Sequence, residues 1–168
     1  VVGPRLTEYA PYDYVGPGSA PPSSDFWLGT TTFGQDVFTQ LVKGLGSTFF
    51  VGLLGGGMAT VIGMVIGFTA GYRGGWVDEI LSAITNVVLT IPILAALILV
   101  AAYLSVRGVL VEALLIGAFN WPWIARAVRA QTFSLRAREF VDLARLSGVN
   151  TPRIIAREIA PNMSSYLV

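Results

Sequence analysis

Apolar positions along this chain fall into long unbroken runs, without the alternation of a half-buried sheet. Gly44 to Tyr72 is 29 residues without a charge, and Ile80 to Val106 is another 27. A helix needs about 20 predominantly apolar residues to cross a bilayer core of roughly 30 Å, so both runs predict transmembrane helices with room for tilt. A third run, Gly108 to Ala125, holds 18 residues with Glu112 near one end. At ~1.5 Å per residue it reaches about 27 Å, which is just sufficient. The pattern predicts an all-α fold, a polytopic transmembrane helical bundle with spans at about 48–72, 80–106 and 108–125. After Ala125 the runs stop, and charges, a glycine and two prolines arrive in close order.

Aromatic rings mark the expected borders: Phe49 and Phe50, Tyr72 and Trp76, Tyr103, then Trp121 and Trp123. Amphipathic rings favour the headgroup layer. Orientation follows from the basic residues. Seven of the eleven lie from Arg126 to Arg157, whereas the turn at 107–112 has only Arg107. By the positive-inside rule the arginine-rich segment is cytoplasmic, and three spans then place the first 47 residues outside. That region is rich in proline and glycine and has neither the basic start nor the apolar core of a signal peptide. The expected organisation is an extracytoplasmic loop and lead-in helix over 1–47 and a membrane domain over 48–168. A chain that starts outside without a signal, and whose last residues "SSYLV" open a new apolar run, reads as the middle of a longer protein missing flanking spans.

Composition narrows the chemistry. The chain is 54% hydrophobic and 12% charged, about half the charge of an ordinary soluble domain. It has no cysteine and no histidine, which removes disulfides, thiolate or imidazole metal sites, and Cys or His nucleophile systems. No acidic or basic residue lies deep in an expected span. That counts against proton relays and ion-coupled carriers, and no nucleophile–base pair serves an intramembrane hydrolase.

Two features inside the spans stand out. The first span carries Gly52, Gly55, Gly56, Gly57, Gly63, Gly67 and Gly71, and the last three make consecutive small-xxx-small steps on one face, which lets a neighbouring helix approach closely. In the second span Ser82, Thr85, Asn86 and Thr90 recur at three- and four-residue steps. They share one face, suited either to interhelical hydrogen bonds or to lining a solute path. Pro92 follows and predicts a kink.

The basic segment reads as an elbow over 138–162. Phe140, Val141, Leu143, Ala144 and Leu146 give a short helix one apolar side. Gly148 occupies a helix C′ position, Thr151 and Pro152 read as N-cap and N1 of a second helix, and Pro161 is expected to break it. Such an elbow suits an anionic membrane surface and equally a groove on a partner protein.

A resemblance separates these. Asp142–Leu143–Ala144, Gly148 and Pro161 are spaced like the "EAA" loop of ABC-transporter permease subunits, E-A-A-x3-G-x9-I-x-L-P. Asp142 stands for the glutamate and Ala160 for the leucine, while Ile159 is displaced by one and Glu158 takes the usual isoleucine place. "WPWIARAVRAQTFSLRAREFVDLARLSG" is similar throughout to the stretch leading into this loop in permeases of the dipeptide, oligopeptide and nickel type. "LGTTTFGQDVFTQLVKG", residues 28–44, resembles their "LGTDxxGRDxxSRLxxG" signature, with Thr31, Gln35 and Gln40 in place of Asp, Arg and Arg, and "GYRGGWVDEI" is also typical.

The resemblance covers about residues 26–168. It implies a membrane-spanning permease subunit of an ATP-driven importer, which is no enzyme itself. Implied partners are a second homologous permease subunit, two cytoplasmic ATPase subunits, an extracytoplasmic solute-binding protein and membrane lipid, with no nucleic acid. No cofactor or metal is implied here, because ATP and magnesium belong to the partner subunits, and no G-x-x-x-x-G-K-[ST] loop occurs. Coupling to the ATPase subunits is assigned to Glu139, Asp142, Leu143, Ala144, Arg145, Gly148 and Pro161, while Ser82, Thr85, Asn86 and Thr90 are the candidate translocation path from their shared helix face alone. The prokaryotic inner membrane is the implied location. A non-transporting scaffold for a soluble partner and a passive channel are the readings from other classes.

Overall fold

Every long element among the described residues is a helix, and extended pairing is confined to one isolated bridge between Thr30 and Asp36. The computed structural model describes residues 7, 9–103 and 108–163. The turn around Arg107 and the closing "SSYLV" lie outside the described residues, apart from Gly108 onward. The chain divides into two compact units, Val1–Leu53 and Leu54–Val168.

In the first unit, turns lead to Asp36, which sets the start of helix α1 (Val37–Arg73). Its Oδ2 accepts from Thr39 N at 2.9 Å and from Thr39 Oγ1 at 2.6 Å, satisfying an amide that the first turn leaves unbonded. The three positions that depart from the family signature touch one another. Gln35 N donates to Thr31 Oγ1 at 3.2 Å, and Gln40 Nε2 donates to Gln35 Oε1 at 2.9 Å and to Pro11 O at 3.0 Å. Neutral hydrogen bonds thus link the three sites here.

In the second unit α1 ends at Arg73, and Gly74 (φ +67°) turns the chain into α2 (Gly75–Thr90). The expected second span is not one kinked helix. It breaks at Ile91–Pro92, and α3 (Ile93–Tyr103) leaves at an angle, with a bend of 73° measured over Ile93–Val100. The cause is local: Ile91 sits in extended backbone at φ −73° and ψ 123°, because the ring of a following proline disfavours the helical region.

Helix α4 (Val109–Leu135) runs ten residues past the expected end at Ala125. Charge ends an apolar run, but alanine, arginine and glutamine are good helix formers, so the helix continues. Among the described residues α1 and α4 are long and apolar enough to cross a membrane, and α2 with α3 makes a third crossing if the bent pair is one span.

The stepped small residues of α1 lie against α4. A Cβ on Gly63 would stand 2.7 Å from Ile124 Cβ, on Gly67 2.7 Å from Ala125 O, and on Gly71 2.7 Å from Arg129 O. Gly55 meets Ala113 O at 2.8 Å in the same way, and Ala59 between them is buried. Trp121, expected at a border, is 9% exposed and packs with Ala59 and Ala125, whereas Trp123 is exposed. Position 121 belongs to the face that the glycines leave open, so packing places the indole there.

The elbow follows as α5 (Glu139–Leu146), then α6 (Thr151–Ile154), a π-helical turn (Ile155–Ile159) and α7 (Ala160–Met163) without a gap. Gly148 has φ +74°, its N–H donates to Arg145 O at 3.0 Å, and Val149 N donates to Ala144 O at 3.1 Å. This is the glycine-ended Schellman pattern. Two expectations change. Asn150, not Thr151, is the N-cap, with Oδ1 accepting from Arg153 N at 3.3 Å. Pro161 does not break the helix. Ala160 N–H bonds Ile155 O, five residues back, and the wider turn carries the ladder past a residue with no N–H to give.

Candidate functional site

The elbow is anchored on one side and open on the other. Val141, Ile154 and Ile159 are buried with Leu135, and Phe68, Tyr72, Phe140 and Ala144 pack around them. Leu143 and Leu146 point away, 65% and 86% exposed. The apolar side expected to join Phe140, Leu143 and Ala144 is therefore split. Phe140 and Ala144 hold the elbow to its own unit, because at ~100° per residue they lie within about 100° of Val141 around the helix, whereas Leu143 lies about 160° from it. Glu139 and Asp142 lie exposed in the first turn of α5, where carboxylates favour the helix dipole. Pro161 is exposed on α7.

Arginines tie the elbow to the end of α1. Arg136 Nη1 donates to the carbonyls of Gly71 (3.1 Å) and Tyr72 (3.2 Å), which α1 leaves unbonded at its C-terminus. Arg145 Nε donates to the Tyr72 hydroxyl at 3.2 Å, its Nη1 donates to Asp142 Oδ1 at 3.1 Å, and its guanidinium lies 5.0 Å from the Tyr72 ring centroid. The Tyr72 hydroxyl, helped by the Asp142 carboxylate, raises Arg145 above its ordinary value, so this anchor keeps its charge at any working pH.

The second group is the polar face of α2. Ser82, Thr85 and Asn86 line a cavity of about 230 Å³ with Ile66, Gly67, Arg126 and Arg129. Arg129 pairs with Asp78, its Nη2 donating to Oδ2 at 2.6 Å, and Ser82 Oγ donates to Asp78 Oδ1 at 3.2 Å. Arg126 Nη2 donates to Asn86 Oδ1 at 2.8 Å. Thr85 is buried, with its hydroxyl on Leu81 O of its own helix at 2.7 Å. Thr90 is not brought to this cavity; it is exposed, and its hydroxyl returns to Val87 O.

Sequence reasoning placed Arg126 and Arg129 beyond the third span and left Asp78 out altogether. Both signals were present. Asp78 lies four residues before Ser82, one helical turn along the same face, and Arg126 and Arg129 are three apart on one face of α4. Read together they predict a charged contact between α2 and α4.

Comparison with known proteins gives the family. Residues 63–168 match the family described as "binding-protein-dependent transport system inner membrane component". The chain is similar to the oligopeptide transport system permease protein OppC of Mycobacterium bovis, 35% identical over 150 residues, covering 88% of this chain and 51% of that protein. It is also similar to the dipeptide transport system permease protein DppC of Bacillus subtilis, 32% identical over 170 residues, 100% of this chain and 52% of that one. The glutathione transport system permease protein GsiD of Pectobacterium atrosepticum is 34% identical over 161 residues, 95% and 52% of the two chains. The chain spans about half the length of the curated relatives it matches. It belongs to the family of binding-protein-dependent transport system inner membrane components.

Proposed function

We propose that this chain forms part of the permease subunit of an ATP-driven ABC importer, and that its elbow docks a cytoplasmic ATPase subunit. The observation that carries the reading is the split elbow. One face is locked to α1 and α4 through Val141, Arg136 and Arg145, while Leu143 and Leu146 stand free at the tip, flanked by Glu139, Asp142 and Arg145. An apolar tip with a charged rim suits insertion into a groove of a partner. A short helix held by a packed core transmits displacement as a rigid body, because a close-packed interior has no slack to absorb it. Gly148 and Ala144 serve by closing the helix end, and Asp142 and Arg145 by fixing the rim.

A second permease subunit would complete the membrane path, and an extracytoplasmic binding protein would deliver the solute. Relatives named for oligopeptides, dipeptides and glutathione point to a peptide-like cargo, with Ser82, Thr85 and Asn86 on its route. Thr90 has no such support.

The test removes the tip without touching the anchor. Leu143→Ser with Leu146→Ser alters two exposed side chains, so the fold should survive. ATPase subunits should co-purify at least ~10-fold less, about 1.4 kcal/mol of docking energy, and solute uptake should fall with them. Wild-type co-purification with intact uptake would overturn the docking role.

A further inference from the structure

We infer that Arg126 and Asn86 form a carboxylate-recognition point in the α2–α4 cavity, which selects solutes carrying an anionic carboxylate over cationic or uncharged ones. The inference rests on the reading of this face as part of the solute route. Two guanidiniums, Arg126 and Arg129, line the cavity, and the Asp78 carboxylate, outside its lining, is already engaged by Arg129. Among the described residues no acidic group pairs with Arg126. Among the described residues its hydrogen bond goes to the neutral Asn86 Oδ1.

The unused hydrogen-bonding capacity is all of one kind. A guanidinium has five N–H donors in a planar fork and no acceptor, and among the described residues one hydrogen bond engages it. Asn86 accepts through Oδ1, which leaves its amide N–H groups to donate. The ligand that fits several donors and a surplus positive charge is acceptor-only and negative, and a carboxylate meets a guanidinium fork with two parallel bonds. A hydrated dication meets charge repulsion at the same point. An uncharged sugar gains no charge-assisted bond.

The 168 residues contain no cysteine, so Ser82→Cys places one thiol of this chain beside the cavity. In the assembled importer, reconstituted in vesicles of neutral lipid, its modification is followed with two methanethiosulfonate reagents, one bearing a sulfonate and one a trimethylammonium. Relative to each reagent's rate with a free thiol, the sulfonate reagent should react faster by about tenfold, the lower end of what a cleft of one charge sign does to local counter-ion concentration. Arg126→Gln should abolish that preference. Asn86→Asp should abolish it too while keeping the guanidinium, by pairing it with a carboxylate, so the result does not depend on one variant folding. Arg153→Gln, in the elbow, should leave it unchanged. Dialanine should slow the modification, and its C-terminal amide should not.

Equal rates for the two reagents after that normalisation, or a preference that survives Arg126→Gln, overturns the inference while leaving the route intact. A thiol unreactive to both reagents overturns the route itself. Protection by added phosphatidylglycerol but not by dialanine makes the point a lipid-headgroup site and overturns its role in solute selection.

Discussion

Helix α4 packs on two neighbours by opposite means. Against α1 it meets backbone: Gly55, Gly63, Gly67 and Gly71 leave no room for a Cβ, and carbonyls of Ala113, Trp121, Ala125 and Arg129 fill the space. Against α2 it reaches out with long side chains, Arg126 to Asn86 and Arg129 to Asp78, around a polar cavity. In a bilayer the surrounding lipid is as apolar as leucine, so helices associate through close packing and hydrogen bonds. The first contact maximises packing and has no adjustable part. The second keeps space and charge, and its bridges can break and re-form without moving a backbone. One helix thus has a fixed partner and an adjustable one. The elbow is tied to the fixed side through Arg136 and Arg145 on the end of α1.

The strongest way to break this comparison is to put bulk into the fixed contact. Gly67→Leu must displace Ala125 O and Val128 Cβ, each 2.7 Å from the added Cβ, and should destabilise by about 3 kcal/mol, the upper range for overpacking. The same change at Gly56, whose Cβ would meet nothing within 4 Å, should stay within ~0.5 kcal/mol. Unfolding midpoints in sodium dodecyl sulfate titrations read both. Equal losses at the two glycines would mean that close approach is not what holds α1 to α4.

A smaller effect is expected at the adjustable contact. Asp78→Asn should cost about 1 kcal/mol, since Arg129 is 38% exposed and its pair is partly solvated. The exchanged pair Asp78→Arg with Arg129→Asp should recover at least half of the loss of either single change, measured as a double-mutant cycle. Additive losses would show that the bridge does not join the two helices.

The smallest effect sharpens the meaning of the polar face. Thr85→Val should change stability by less than ~0.5 kcal/mol, because the lost hydroxyl bonds only Leu81 O on its own helix. A loss above ~1 kcal/mol in the same titration would make Thr85 an interhelical bond, which removes the distinction between the two contacts.

Much of the helical plan was legible along the chain. Run length and the absence of charge located two helices long enough to cross, and a third crossing if the bent α2–α3 pair is one span, because a bilayer demands that length. The glycine steps announced a close contact, since only a missing Cβ permits one. Gly148 announced a left-handed helix end, because that conformation is local and costs any other residue. Where the reading failed, the cause lay outside the local sequence or in its detailed geometry. Asn150 and Thr151 are both good caps, and only the backbone path chose between them. Pro161 looks like a stop until a π-helical turn ahead of it absorbs the missing bond. Trp121 has a border residue's chemistry, yet it sits on the face opposite the glycines.

The site divides in the same way. Local sequence determined that Ser82, Thr85 and Asn86 share a helix face and that Leu143 and Leu146 are apolar, because helical periodicity and side-chain chemistry are properties of neighbours in the chain. Tertiary structure decided that Arg126, 40 residues after Asn86, meets it, and that Arg129 takes up Asp78 across 51. It also decided that Phe140 turns inward while Leu143 turns out. Pairing and burial are settled by which helix lies alongside which, and the pattern of apolar runs carries no record of that choice.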